Sequence, residues 1–194
     1  MSDMITKFSF NETEIPGLIE VTPFNAEDIR GGFTKDYSQE VFEANGIHHD
    51  LAEVFYTTSH MGVIRALHFQ RVKQQPKLVR CIWGHVWDVV VDLRKDSPSF
   101  KKWLSFDLTR ENRREVLIPA GCAHGYLVME ESVVSYKCGE KFYGEYDDGI
   151  LWNDPELAVA WPLDRVGGAE KVILADKDKN LQSFAQFMKA YGGF

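Results

Sequence analysis

The sequence has few cysteines and no long apolar run. Its three cysteines, Cys81, Cys122 and Cys138, are odd in number and include no closely spaced pair. Neither a disulfide framework nor a zinc-binding cysteine cluster is therefore predicted. No stretch approaches the roughly 20 apolar residues that a membrane span requires, and the N-terminus lacks the features of a signal peptide. We expect a soluble, cytoplasmic protein with no membrane partner.

Positive charge is also scarce. The 22 lysines and arginines are scattered among 29 aspartates and glutamates, and the formal net charge is -7. Because a nucleic-acid-binding face usually appears as a concentrated basic stripe, we expect no nucleic acid partner. A small anionic ligand is compatible with this balance, since a few basic side chains can be focused in one cleft of an acidic protein.

Internal repeats, low-complexity tracts and proline- or glycine-rich linkers are absent from the sequence. The length of 194 residues and the 44% hydrophobic content suit one core of ordinary size. We therefore predict a single domain over residues 1–194.

What the sequence does contain is a series of short β-rich segments. The predicted strands are residues 18–24, 54–58, 62–70, 77–83, 85–93, 103–108, 115–118 and 125–128. A recurrence of about 8 to 12 residues is typical of an antiparallel sandwich or barrel. The fold class indicated is all-β.

Two short helices are expected to flank the strands. Ser38 is a candidate N-cap for a helix that ends near Ala44, where Gly46 follows. Near the C-terminus, apolar residues recur at helical spacing before a stop at Gly192, namely Leu181, Phe184, Phe187, Met188 and Tyr191. We interpret this stripe as core or subunit contact, packed outside the barrel, rather than as a ligand site.

Residues 118–125 have the PxGxxH form of the second cupin motif, in which the histidine, His124, points into the barrel. In metal-binding cupins this histidine joins an earlier pair of histidines and a glutamate, because transition metals need several convergent ligands. The corresponding segment here, residues 65–70, contains only His68. We therefore expect no metal and no cofactor, with a metal-dependent cupin enzyme as the alternative.

Several longer motifs, taken in order, resemble the dTDP-4-dehydrorhamnose 3,5-epimerase family. They are residues 62–70, 77–80, 88–98, 118–126, 136–138, 149–154, 161–163 and 174–178. Several ordered motifs are more specific than any single one. The resemblance implies a cupin-type antiparallel jelly-roll barrel. It also implies an epimerase that inverts C3, C5 or both of a nucleotide-diphosphate 4-keto-6-deoxy sugar, in surface-polysaccharide (O-antigen) biosynthesis.

Inversion beside a ketone needs a base, an acid on the opposite face, and a cation at the enolate oxygen. Imidazole suits the base because its reference pKa of about 6.5 lies near working pH. The resemblance implies that His68 is the base, Tyr136 the acid and Lys77 the cation. It implies further that Asp178 orients the base, with Asp176 as the alternative.

Other residues are expected to hold the substrate. Arg30 and Arg65 match family residues that bind the diphosphate, for which the guanidinium fork is well suited. Asp88 and His124 match inward polar residues that orient the substrate or the base, although a buried structural pair is nearly as good an interpretation. Because Arg30 lies on a segment that in similar proteins crosses to the neighbouring barrel, we expect a homodimer.

The chain departs from the family pattern at places expected to face the ligand. Glu53 and Phe55 stand where relatives carry Gln and Asn, and Lys141 with Phe142 replaces a pair of tyrosines. With Gln70, we count Glu53, Phe55 and Lys141 as substrate-binding residues. We therefore expect the chemistry to be kept and recognition altered, which leaves CDP or GDP as alternatives to dTDP, and inversion at C3 alone as an alternative to both carbons. A non-catalytic nucleotide-sugar-binding cupin is a further alternative, although it would need neither base nor acid.

One departure from the family lies beside the predicted base. Ala66 stands where relatives usually carry a glycine, two residues before His68. The change adds a single methyl group, and we expect it to be tolerated.

Overall fold

The computed structural model describes residues 4–194. Residues 1–3 are part of the N-terminus in which no signal peptide is expected, and they lie outside the described part. The strands and helices are β1 (Met4–Thr6), β2 (Ser9–Glu12), β3 (Ile19–Thr22), β4 (Phe24–Asp28), β5 (Gly31–Lys35), α1 (Gln39–Ala44), β6 (Glu53–Ser59), β7 (Ile64–Gln70), β8 (Lys77–Asp92), β9 (Trp103–Thr109), β10 (Glu115–Ile118), β11 (Cys122–Cys138), β12 (Asp147–Gly149), α2 (Asp176–Lys179) and α3 (Phe184–Tyr191). Two single 3₁₀ turns, Leu163–Val166 and Ala169–Lys171, precede α2.

The strands form an antiparallel barrel around two long central strands. The main sheet runs in the order β12-β7-β11-β8-β10-β3-β2, with β6 paired to β11 and β9 paired to β8. One half of β11 pairs with β7 and the other half with β6, while β8 follows it along most of its length. The all-β antiparallel prediction is confirmed.

The central strands are longer than the sequence predicted. The sequence predicts segments 77–83 and 85–93 with a tight turn or a bulge at Gly84, and in the structure they form the single strand β8. Gly84 lies at its middle with φ of +78°, and the register with β11 shifts there. The glycine therefore accommodates an irregularity instead of ending the strand. Likewise, β11 extends well beyond the predicted residues 125–128.

Helix boundaries agree with the prediction only in part. Ser38 occupies the N-cap of α1, but its side chain makes no capping hydrogen bond. Helix α3 begins at Phe184, after Leu181, because Ser183 forms a capping box with Gln186. Helix α2 is not one of the two helices that the sequence predicted.

Alternation along β8 separates two apolar clusters. Trp87, Val89 and Val91 face an outer cluster that includes Phe184 and Phe187 of α3. Val79, Val86 and Val90 face the barrel interior, in a cluster that also contains Tyr126 and Tyr136. Strands show this period of two because successive side chains point to opposite faces. The C-terminal helix therefore packs outside the barrel, as predicted.

The N-terminal hairpin of β4 and β5 belongs to a separate sheet. Its order is β1-β4-β5, and it shares no strand with the main sheet. Arg30 lies at the turn of the hairpin. Among the described residues, no helix has the length and apolar character to cross a membrane.

Candidate active site

A cavity of about 330 Å³ contains all four predicted catalytic residues. Its lining residues are Phe55, Thr57, Arg65, His68, Phe69, Gln70, Gln75, Lys77, His124, Tyr136, Phe142, Asp147, Ala175, Lys177 and Asp178. They come from β6, β7, β8 and β11 and from the segments that carry β12 and α2. The barrel therefore gathers residues that are far apart in sequence.

His68 is paired with a buried carboxylate. Its Nε2 atom lies 3.1 Å from Oδ1 of Asp178, which is 4% exposed. The Asp176 side chain is instead exposed and accepts a hydrogen bond from Lys179. Of the two aspartates considered for this place, the structure thus brings Asp178 to His68. The other ring nitrogen of His68, Nδ1, is buried with no hydrogen-bond partner in the described residues.

A second histidine–carboxylate pair lies next to the first. His124 stands directly opposite His68 in the β7–β11 register. Its Nε2 atom is 2.7 Å from Oδ2 of Asp88, and both side chains are buried. A histidine held in this way has a fixed ring orientation, because the carboxylate selects the nitrogen that faces it. Asp88 itself lies behind the cavity lining.

Tyr136 is held among aromatic rings. In the β6–β11 register it stands opposite Phe55, and the two rings are stacked with centroids 4.8 Å apart. The ring of His124 approaches it edge-on at 6.0 Å. Burial raises the pKa of Tyr136 well above its usual value, and the Tyr126 hydroxyl acts in the same direction. The phenol therefore keeps its proton at neutral pH, as an acid requires.

Lys77 begins β8 and stands opposite Cys138 in the register with β11. Burial lowers the pKa of Lys77, although the nearby Cys138, Asp147 and Asp88 act to raise it. Burial disfavours the ammonium because it removes water from the charge. An anion that develops in the cavity would compensate that loss.

The two predicted phosphate-binding arginines lie in different places. Arg65 lines the cavity, where its Nε atom donates to Ser59 at 3.0 Å. Arg30 lies away from it, at the hairpin turn, where its exposed side chain pairs with Asp28. Residues of that hairpin line a separate open cavity of about 590 Å³. Within one chain, Arg30 therefore does not reach the cavity.

Two of the predicted substrate-binding residues, Gln70 and Glu53, hold a loop at the cavity that contains a third, Lys141. Gln70 lines the cavity, but its amide donates to the carbonyls of Lys73 and Lys141 and accepts from the Tyr143 amide. The Oε1 atom of Glu53 accepts from the Phe142 amide at 2.9 Å. Glu53 and Lys141 lie outside the lining. The side chains of Gln70 and Glu53 thus form hydrogen bonds with the protein's own backbone.

Several lining residues were not predicted. Thr57 could have been found from strand alternation, because it lies two residues after Phe55 on the same face of β6. Lys177 lies within a motif used for the family resemblance, and in the structure it pairs with Asp147. Gln75, which also bonds to Glu53, carries no comparable signal in the sequence.

The described residues contain no cluster of three or more His, Cys, Asp or Glu side chains arranged to hold a metal. The cavity presents an imidazole backed by a carboxylate, a protonated phenol and the side chain of Lys77. Such groups can remove a proton from carbon, stabilise the resulting oxyanion and return a proton.

Known proteins resemble the chain over most of its length. The family model described as dTDP-4-dehydrorhamnose 3,5-epimerase matches residues 12–186. A dTDP-4-dehydrorhamnose 3,5-epimerase from Methanothermobacter thermautotrophicus is 42% identical over 177 residues, which is 91% of this chain and 94% of that protein.

Solved structures agree with the family match. The crystal structure of dTDP-4-dehydrorhamnose 3,5-epimerase from Bacillus anthracis, with TDP and PPi bound, is 39% identical with a TM-score of 0.85, and the match covers 92% of this chain and 100% of that one. The dTDP-6-deoxy-D-glucose-3,5-epimerase from Legionella pneumophila, in complex with dTDP-4-keto-L-rhamnose, is 34% identical with a TM-score of 0.85 over 91% of this chain and 93% of that one.

These similarities confirm the cupin-type jelly roll and assign the chain to the epimerases, which are isomerases. More narrowly, the chain belongs to the dTDP-4-dehydrorhamnose 3,5-epimerase family.

Proposed function

We propose that this chain inverts C3, C5 or both of a nucleotide-diphosphate 4-keto-6-deoxy sugar by proton transfer through an enolate. The observation that carries the proposal is the meeting of the His68–Asp178 pair with Tyr136 and Lys77 around one cavity. A base and a protonated acid in one site are what inversion beside a ketone requires.

In the proposed reaction, His68 removes the proton from the carbon beside the C4 ketone. The electrons of the broken C–H bond form the enolate, whose oxygen is stabilised by the Lys77 ammonium. Asp178, whose Oδ1 lies 3.1 Å from Nε2 of the ring, orients the imidazole. The same carboxylate stabilises the imidazolium that forms. Tyr136 then delivers its proton to the opposite face, and solvent restores both groups.

The proposed nucleotide is dTDP, because the Bacillus anthracis relative was solved with TDP and PPi and the Legionella pneumophila relative with dTDP-4-keto-L-rhamnose. Arg65 is proposed to contact the diphosphate. His124 and Gln70 contribute to the wall around the sugar. CDP and GDP are the alternative nucleotides to test against dTDP.

We further propose a homodimer in the cytoplasm, working in the biosynthesis of a surface-polysaccharide sugar. The hairpin carries Arg30 with its side chain exposed, and its tip residue Ile29 is fully exposed. Phe33 of the same hairpin is exposed as well, and an exposed apolar patch is typical of contact sites between proteins. A partner subunit that receives the hairpin would bring Arg30 to a cavity that it does not reach in its own chain.

Deuterium incorporation from heavy water tests the reaction. The purified chain would be incubated with dTDP-, CDP- and GDP-4-keto-6-deoxy sugars, and C3 and C5 followed by NMR. We expect exchange and inversion with the dTDP-linked sugar. Tight binding without exchange at either carbon would contradict the proposal and indicate a binding module. Exchange that is lost with chelator and restored by a metal would indicate a metal-dependent enzyme instead.

A further inference from the structure

The ring of Phe55 lies directly on the ring of Tyr136. The two residues are cross-strand partners in the β6–β11 register, so backbone hydrogen bonding places them side by side. Their ring planes differ by only 15°, with centroids 4.8 Å apart. Both line the cavity. The stack is therefore part of the site wall and is set by the sheet itself.

Other contacts complete the surroundings of the Tyr136 ring. The imidazole of His124 approaches edge-on, at an interplanar angle of 73°. Tyr126 is fully buried, and its hydroxyl lies 2.9 Å from Oγ1 of Thr57, which follows Phe55 on the same face of β6. Of these neighbours, Phe55 is the most exposed, at 39%. It consequently separates the face of the Tyr136 ring from the open part of the cavity.

We infer that Phe55 is a positioning residue for the acid: its ring holds the Tyr136 phenol in one plane and so directs the hydroxyl at the substrate. This inference rests on the proposed function and assigns to Phe55 a role towards Tyr136 instead of towards the nucleotide. Stacked aromatic pairs are stabilised beyond what their buried area contributes, which favours one ring orientation.

The orientation of the acid matters at one step only. Removal of the first proton depends on His68 and on the stabilisation of the enolate oxygen. Delivery to the opposite face depends on where the phenol hydroxyl points, and a misplacement of about 1 Å can cost roughly 10²-fold in rate. Loss of the Phe55 ring should therefore slow inversion more than it slows exchange.

The test compares ring-free and ring-keeping variants of one residue. Phe55→Leu keeps an apolar side chain without the ring, and Phe55→Ile is a second ring-free variant that suits a strand. Phe55→Tyr keeps the ring and is the matched control. Each would be incubated in heavy water with dTDP-4-keto-6-deoxyglucose, and NMR would separate deuterium gained with retained configuration from inverted product. Thermal melting would establish that each variant is folded.

For the ring-free variants we expect the ratio of inversion to total exchange to fall about 10-fold or more relative to the native chain. Phe55→Tyr should keep the native ratio of inversion to exchange. An equal fall of exchange and inversion in both ring-free variants would overturn the inference, because it would mean that Phe55 serves substrate binding. Native rates of both exchange and inversion in the ring-free variants would overturn it as well. If the native chain exchanges no hydrogen at all, it is the proposed function that fails.

Discussion

At the scale of single residues, the site sets two histidine–carboxylate pairs side by side with unequal access to the cavity. The His68 side chain is 25% exposed, whereas that of His124 is 4% exposed. His124 is also closer to its carboxylate, Asp88, than His68 is to Asp178. His124 is therefore held as part of the wall, and His68 is the better placed of the two to exchange a proton with a ligand.

The first prediction concerns this base. His68→Ala should abolish solvent exchange at every inverted carbon, because loss of general-base catalysis costs about 10²- to 10⁴-fold. Asp178→Asn should leave partial activity, since it weakens orientation and imidazolium stabilisation without removing the base. Exchange would be measured by NMR in heavy water.

A neighbouring aspartate supplies the control for that experiment. Asp176→Asn changes an exposed carboxylate of the same short helix, α2, and should leave the exchange rate unchanged. Near-native exchange by the His68 variant would show that another group is the base. An equal effect of the Asp176 and Asp178 changes would show that the helix as a whole, and not the buried carboxylate, matters.

The second prediction concerns the acid. Tyr136→Phe should still allow His68 to remove and return a proton on one face, because the base and Lys77 are untouched. We expect deuterium to enter the substrate with retained configuration and inversion to be lost. NMR of the recovered sugar checks both at once. Inversion at the native rate by the Phe variant would exclude Tyr136 as the acid.

At the scale of elements, strands β7 and β11 pack in close contact beside the site. Gly125 of β11 packs against Ala66 of β7, so that a Cβ atom at Gly125 would lie 2.3 Å from the Ala66 methyl and 2.7 Å from the Arg65 carbonyl oxygen. The methyl of Ala66, which relatives usually lack, is thus accommodated by the missing side chain of Gly125. His68 and His124, which face each other across the same two strands, depend on this approach.

The third prediction follows from that contact. Gly125→Ala should destabilise the fold by about 1 to 3 kcal/mol or more, because overpacking forces backbone shifts. It should also lower activity by separating β7 from β11. Gly144→Ala is the control, since its methyl would meet only the Phe142 ring, at 3.9 Å. Thermal melting of the two variants would give the comparison, and equal melting temperatures would contradict the predicted clash.

One buried carboxylate stabilises the loop after β8 by accepting hydrogen bonds from it. Asp92, the last residue of β8, accepts hydrogen bonds from Arg94 Nε at 2.8 Å, Ser97 Oγ at 2.6 Å and Ser99 Oγ at 2.7 Å. Burial acts to raise the pKa of Asp92, but the hydrogen bonds from Arg94, Ser97 and Ser99 outweigh it and lower the pKa below its ordinary value. Folding therefore favours the ionised form.

The fourth prediction is the pH dependence of this contribution. A carboxyl whose pKa is lowered on folding adds stability above its unfolded pKa of about 3.9, and loses it as the pH falls through the folded value. Asp92→Asn should therefore cost about 1.5 to 3 kcal/mol at pH 7, with a difference that shrinks below about pH 4. Melting temperatures over that range test it, with Asp96→Asn in the exposed part of the same loop as control. A constant difference at all pH values would contradict the linkage.

At the scale of the whole molecule, the spacing of β-rich segments was enough to predict an antiparallel barrel, because strand periodicity and turns are local signals. The continuity of β8 through Gly84 was not predictable in the same way. A glycine between two apolar runs indicates a turn or a bulge equally well, and only the pairing with β11 decides between them. One domain over residues 1–194 stays a prediction.

The same limit applies to the site. The order of the motifs was enough to select His68, Tyr136, Lys77 and Asp178, and the structure brings all four to one cavity. Their roles remain predictions. The position of the Glu53 carboxylate could not be derived, because the hydrogen bond that it accepts from the Phe142 amide joins residues 89 positions apart. Tertiary contacts of that kind leave no trace in local sequence.

The last prediction concerns the proposed homodimer and its shared site. Light scattering should show a dimer, and a fully active monomer would contradict the proposal.

Subunit mixing is a sharper test, because Arg30 and His68 would meet only across the interface. Arg30→Ala should weaken activity and His68→Ala should abolish it. In a dimer of one subunit of each kind, one site receives the intact His68 of one chain and the intact Arg30 of the other. After unfolding and refolding the two variants together, random pairing should restore about a quarter of native activity, because half of the dimers are mixed and each mixed dimer has one intact site. If Arg30 served the cavity of its own chain, both sites of every mixed dimer would stay defective, and no activity beyond that of the separate variants would return.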